Sequence, residues 1–463
     1  MGSRLEVAFM GRFLSIVSGG LVYIRFLPFQ FFTASIFRGS ESGRRAFLLL
    51  VLICLAQPAH AYSLLTHEQI IDTLWKNDIA PLLLRRFQGA SEEDLRKAHA
   101  YAYGGCLIQD MGYYPPGNRF FSDLTHYVRS GDFAANLISE STDLTEYAFA
   151  LGALAHYCAD NSAHPLVNHC VGLTFPKLRK KFGEKVTFEE DPKAHIRVEF
   201  GFDVSQISKN RYSSQQYHDF IGFEVSKPVL ERAFLKTYGM PLDEVVRPVD
   251  LSINTFRRAA SKFIPDLTRA ALEIHGPEMK KGEKEAGPTI NFYHLSRSEY
   301  EKEWGKDYSH PTIFARMLAL MLKVVPKVGI FKSLAFKMPS PEVEALCVTS
   351  ANKTIANYRA TVRQVGVRIE LPNLDCDTGR PSRAGEYGLG DEAYMKLLHQ
   401  LSQRGFQNVP PDVRENILAY FSEPSEVKPR SSKARKVWRR AVVELEALRD
   451  GEGKAPNRFK KGS

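Results

Sequence analysis

Through most of residues 62–204, apolar positions recur three and four apart, the spacing that gives a helix one buried face. The stretches HEQIIDTLWKN (67–77) and LTEYAFALGALAHYCADNSA (144–163) carry this pattern most clearly. GYYPPGNRF (112–120) interrupts it as a turn-rich loop. Residues 171–192 form a connector, first basic and then acidic. Helical spacing resumes in KPVLERAFLKTYG (227–239) and NTFRRAASKFIPDLTRAALEIHG (254–276), and GPEMKKGEKEAGPT (276–289) reads as a linker. Residues 290–423 return to a mostly helical pattern, with a short strand expected at GVRIELP (366–372) and turns in DCDTGRPSRAGEYGLGDE (375–392). From 424 the chain is basic, rich in Pro and Ser, and predicts a short helical pattern in a disordered tail. The expected class is all-α: a helical domain over 62–275, a mostly helical extension over 290–423, and a tail over 424–463.

The first 61 residues stand apart. Arg44 and Arg45 precede AFLLLVLICLAQPAHA (46–61), which gives a charged region, an apolar run and small residues at Ala59 and Ala61. This is the layout of a secretory signal, with cleavage after Ala61 exposing Tyr62. The expected location is therefore exported, either periplasmic or secreted. A second apolar stretch, FLSIVSGGLVYI (13–24), admits either a start further downstream or a membrane anchor within residues 1–61. The net charge of +10 fits an anionic partner, phospholipid or nucleic acid, without choosing between them. Five cysteines follow Ala61: Cys106, Cys158, Cys170, Cys347 and Cys376. An odd number at this spacing is no disulfide framework, although a Cys158–Cys170 bridge is compatible with it.

The stretch HYCADNSAHP (156–165) places His156, Asp160 and His164 four residues apart, on one helical face, with Pro165 as the expected helix end. HIRVEF (195–200) repeats the theme with His195 and Glu199. Upstream lie His67 in YSLLTHEQI, Asp110 in CLIQDMGYYP and His126 in SDLTHYVRSGDF. Imidazoles and carboxylates together suit zinc. Taken singly, each has a plainer role: a cap or core position for His67, a turn cap for Asp110, a core histidine at His126, a solvated face for the row from His156. Yet five of the twelve histidines after Ala61 fall at these places.

In order and spacing these residues resemble the zinc-dependent phospholipase C family, which is related to single-strand-specific nucleases with a trinuclear zinc fold. The resemblance covers about residues 62–204. It implies a multi-helix zinc domain holding up to three zinc ions. One ion would be bound by Asp110, His126, His156 and Asp160. A second would be bound by His164, His195 and Glu199. A third would take His67, Asp160 as a bridge, and the amine and carbonyl of Tyr62. The family's first residue is usually Trp, and a Gly often precedes the last histidine of the helix; this chain has Tyr62 and Ala163. Clustered zinc acidifies water and stabilises charge on phosphoryl oxygens, so in-line displacement at phosphorus follows. Asp110 would then serve both as ligand and as the base orienting the attacking water. No Ser/His/Asp or Cys/His pattern suggests a covalent nucleophile.

Tyr113, Tyr114, Phe120 and Phe121 flank the Asp110 loop and would either line a substrate pocket or fill the core. FARMLALMLKVVPKVGIFKSLAFKMP (314–339), with Lys323, Lys327, Lys332 and Lys337, is either a lipid-docking segment or a core helix broken at Pro326. The expected activity is hydrolysis of phospholipid to diacylglycerol and a phosphorylated head group. The alternatives are a nuclease on single-stranded nucleic acid, another phosphoesterase, or a non-catalytic metal-binding surface protein.

Overall fold

The computed structural model describes residues 64–209, 211–212, 221–279, 336–365, 369–422, 427 and 432–450. These are almost wholly helical. α1 (Leu64–Leu74) leads through a π-helical turn into α2 (Ala80–Arg86). α3 (Glu92–Gly105) follows, then a 3₁₀ turn over Ile108–Tyr113, α4 (Arg119–Tyr127), α5 (Ser130–Glu140) and α6 (Leu144–Thr174). α7 (Pro176–Phe182) lies within the expected connector and leads to α8 (Pro192–Ser208). α9 (Lys227–Tyr238), α10 (Leu242–Val245), α11 (Val249–Arg258) and α12 (Ile264–Met279) continue the chain. Beyond it come α13 (Pro341–Gln364), α14 (Gly388–Gln403), α15 (Pro411–Tyr420) and α16 (Ser432–Asp450). A two-residue antiparallel pair, β1 (Leu374–Asp375) with β2 (Arg380–Pro381), sits between α13 and α14. The strand expected within 366–372 is absent from the described part of that stretch.

α6 is the axis of the fold. Asp143 caps it by accepting from the Glu146 amide at 2.9 Å. Its Ala-rich sequence buries several faces at once rather than one stripe, because α3, α5, α8 and α13 all pack on it. α3 crosses α6 at glycines. A Cβ on Gly152 would lie 2.1 Å from the Ala102 carbonyl, and one on Gly105 would lie 1.9 Å from the Phe149 carbonyl. α13 joins the same core through Val343, Val348, Ala351, Ile355 and Tyr358, and the Tyr358 hydroxyl donates to the Leu151 carbonyl at 2.8 Å.

The structure differs from the sequence-based expectation in three further places. α6 runs past Pro165 to Thr174. Pro165 cannot donate to the Asn161 carbonyl, and that oxygen faces Gly379 instead. The backbone there comes so close that a Cβ on Gly379 would lie 2.5 Å from it. Second, the tail contains helix α16, whose Ala441, Leu445 and Leu448 are buried. Third, Cys170 faces Cys347, with sulfurs 3.5 Å apart, rather than Cys158. The described cysteines are all free thiols. The segment 314–335 lies outside the described residues, as do Tyr62 and residues 1–61. Among the described residues no helix is long and apolar enough to cross a membrane.

Candidate metal centre

His156, Asp160 and His164 project from successive turns of α6. His67 comes from α1, Asp110 from the 3₁₀ turn, His126 from the last turn of α4, and His195 and Glu199 from α8. None of the eight side chains is more than 3% exposed. After His126 the chain turns into α5 through Arg129, at a φ of 52°. That left-handed conformation is costly for a residue with a Cβ. It is held by Asp132 at 2.7 Å, the Thr237 carbonyl at 2.9 Å and Asp412 at 2.5 Å.

Two groups of donors meet closely. Donor atoms of His67, His156 and Asp160 lie within 4.8 Å of one another, and so do those of Asp110, His126 and His156. Asp160 divides its oxygens between them. Oδ2 is 3.1 Å from His156 Nε2 and 3.3 Å from His126 Nε2, while Oδ1 faces His67 Nε2 at 3.7 Å. Asp110 Oδ1 is 3.5 Å from His126 Nε2. A third group converges on Glu199, whose Oε1 is 3.8 Å from His164 Nε2 and 3.7 Å from His195 Nδ1.

The imidazoles are aimed from behind. His126 Nδ1 donates to the Ser122 carbonyl at 2.7 Å and His156 Nδ1 to the Cys106 carbonyl at 2.9 Å. His195 Nε2 donates to the Val186 carbonyl at 2.8 Å, and His164 Nδ1 pairs with Asp377 at 2.9 Å. Each bond turns the ring's other nitrogen inward as a lone-pair donor. One consequence is that His126 Nε2 and His156 Nε2 face each other at only 3.2 Å. Two lone pairs at that separation call for a cation or a proton between them.

The donor set fits a metal on a second count. Both Asp160 oxygens, Asp110 Oδ1, His164 Nε2, His195 Nδ1 and Glu199 Oε1 are buried and make no hydrogen bond. Each such atom costs about 1–3 kcal/mol if nothing satisfies it. All of them point toward the three convergence points, and the mix of imidazole nitrogen and carboxylate oxygen is that of zinc.

The electrostatics differ from group to group. Burial pushes the Asp110 carboxyl well above the usual carboxylate range, with His126 offsetting only part of this. Burial acts on Asp160 in the same sense, but His156 and His164 outweigh it and hold this carboxyl well below that range. Burial, and then neighbouring His156, lower the His67 imidazole well below its ordinary value. Burial would lower His164 too, but Asp160 and Asp377 raise it to about 10 in the metal-free protein.

Of the four aromatics near the Asp110 loop, Tyr113 is the one brought beside a ligand, its ring 6.2 Å from that of His126. Tyr114 packs against Phe256 at 5.2 Å, and Lys396 covers the buried Phe120 ring at 4.1 Å. Phe121 stacks on Phe234 at 5.6 Å inside the core. Asp377 is not singled out by the sequence at all. Its only local signal is a carboxylate in a turn-rich run, which is what turns ordinarily contain.

This all-helical domain gathers eight buried imidazole and carboxylate side chains around one central helix, and two groups of them are close enough together to hold a metal ion. Residues 66–245 match the family model described as zinc dependent phospholipase C. All eight donors fall inside the match; Asp377 falls outside it. No curated protein and no solved structure matches the chain.

Proposed function

We propose that this protein is an exported phospholipase C, cleaving phospholipid to diacylglycerol and a phosphorylated head group. One observation carries the reading: the full donor set, in place and inward-facing, within the segment that matches the phospholipase C family model. When bound, zinc supplies a water acidic enough to attack phosphorus near neutral pH and Lewis-acid stabilisation of charge on the phosphoryl oxygens. The chain's own residues do the rest. Asp160 spans two of the donor groups and holds them in one register. Asp110 serves both as a ligand and as the base that orients the attacking water and accepts its proton. Tyr113 borders the same side and contacts the substrate. The basic charge of the chain favours an anionic lipid surface.

The test is a substrate panel on protein of measured zinc content: choline and ethanolamine phospholipids, single-stranded DNA and RNA, and a generic phosphodiester. Diacylglycerol release is expected, lost on chelation and restored by zinc. Cleavage of single-stranded nucleic acid alone would make the protein a nuclease. A zinc-loaded chain inert on the whole panel would mark a non-catalytic metal-binding protein.

A further inference from the structure

The chain beyond the matched segment reaches back into the metal centre. Asp377, in the turn between β1 and β2, is buried against α6. One oxygen lies 2.9 Å from His164 Nδ1, and the other accepts from the Tyr127 hydroxyl at 2.9 Å and the Tyr387 hydroxyl at 2.5 Å. Its carbonyl accepts from the Asn168 side chain at 3.0 Å. The preceding amide, of Cys376, donates to the carbonyl of His126 at 3.1 Å. This turn therefore touches two of the donor residues, His164 through a carboxylate and His126 through its backbone.

The turn is also anchored on elements that carry or flank the ligands. Tyr157 donates to the Pro372 carbonyl at 2.7 Å, and Ser130 donates to the Leu374 carbonyl at 2.5 Å. Asn373 and Asp132 exchange two hydrogen bonds, each of 3.0 Å. Gly131 lets the strand approach: a Cβ there would lie 2.4 Å from the Pro372 carbonyl. Such contacts on both sides leave the carboxylate little freedom to swing away.

We propose that Asp377 is a positioning residue for His164, so that the chain beyond residue 245 completes the metal centre. It rests on the reading of the centre as a zinc site. A carboxylate behind an imidazole fixes the tautomer, orients the ring and makes its inward nitrogen a stronger donor. Here that nitrogen is Nε2, which faces Glu199 alongside His195. Among the described residues, the matched segment supplies donors to this group, while the carboxylate that orients His164 from behind comes from the extension.

The experiment uses the full mature chain and measures zinc per chain and zinc affinity by competition with a chromogenic chelator. Asp377→Asn keeps the shape and removes the charge. It is expected to weaken one zinc of the set about 10–100-fold, leaving the others in place. His164→Ala should lose the same zinc, and adding Asp377→Asn to it should weaken zinc binding no further. Unchanged zinc affinity in folded Asp377→Asn, or an additive loss in the double variant, would overturn the proposal. Should Asp377→Asn fail to fold, Tyr387→Phe carries the test, since it removes one bond to the same carboxylate. A smaller loss at the same zinc supports the proposal and an unchanged affinity overturns it. A wild-type chain that takes up no zinc would instead overturn the reading of the centre, and this inference with it.

Discussion

Asp160→Asn is expected to abolish phosphodiester hydrolysis while the helical content stays near that of the unchanged chain. The substitution is nearly isosteric, and α6 draws its stability from apolar packing on several sides. The chemistry is another matter. Asp160 presents Oδ2 to His126 and His156 and Oδ1 to His67, so one carboxylate serves two donor groups. An amide has one acceptor oxygen and places an N–H₂ where the other was. That donor cannot ligate a cation. Loss of an outer partner typically costs about 10–100-fold in metal affinity or activity. Removing a shared ligand should exceed the upper end of that range, with at least one zinc lost. Turnover on a generic phosphodiester, zinc content and far-UV circular dichroism check this together. Near-normal turnover in a zinc-loaded Asp160→Asn chain would show that Asp160 is not a shared ligand.

Gly152→Ala is expected to destabilise the domain strongly for a single added methyl group. The new Cβ would lie 2.1 Å from the Ala102 carbonyl and 2.8 Å from the Cys106 amide. Both are backbone atoms, so no side chain can rotate aside. Overpacking of this kind costs about 1–3 kcal/mol, occasionally more, and rigid backbone contact on both helices puts this case at the top of the range. A functional cost follows from the same geometry. The Cys106 carbonyl is the acceptor for His156 Nδ1, and forcing α3 away from α6 withdraws it. Urea unfolding in chelator reads the first effect and zinc content the second. An unchanged midpoint would mean that the two helices are not held at the separation seen here.

Much of the centre is legible in the amino-acid sequence alone. The four-residue intervals of His156, Asp160 and His164, and of His195 and Glu199, are local, and helix geometry converts them directly into a shared face. What the sequence hides is nonlocal. α6 continues through Pro165, and Gly379, more than two hundred residues later, packs against the carbonyl that the proline leaves without a helical donor. Asp377 acquires a role only when α13 and the β1–β2 turn fold back over α4–α6; in sequence it is one acidic residue among Gly, Ser and Pro. α16 is a different case. Val437, Trp438, Ala441, Leu445 and Leu448 recur at helical spacing and give the short helical pattern expected there, but a dense run of Lys and Arg hides that the stripe is packed into the core. Phe121, by contrast, looks identical in sequence whether it meets a substrate or stacks on Phe234.

On the function proposed above, three convergent donor groups on and around α6 form one zinc centre. Elemental analysis of the purified chain beginning at Tyr62, reconstituted with zinc and dialysed, tests it most directly. About three zinc ions per chain are expected, one for each donor group, falling by at least one in His164→Ala. Less than one zinc per chain in the unchanged protein would contradict the claim, because the buried imidazoles and carboxylates would then be satisfied by something other than metal.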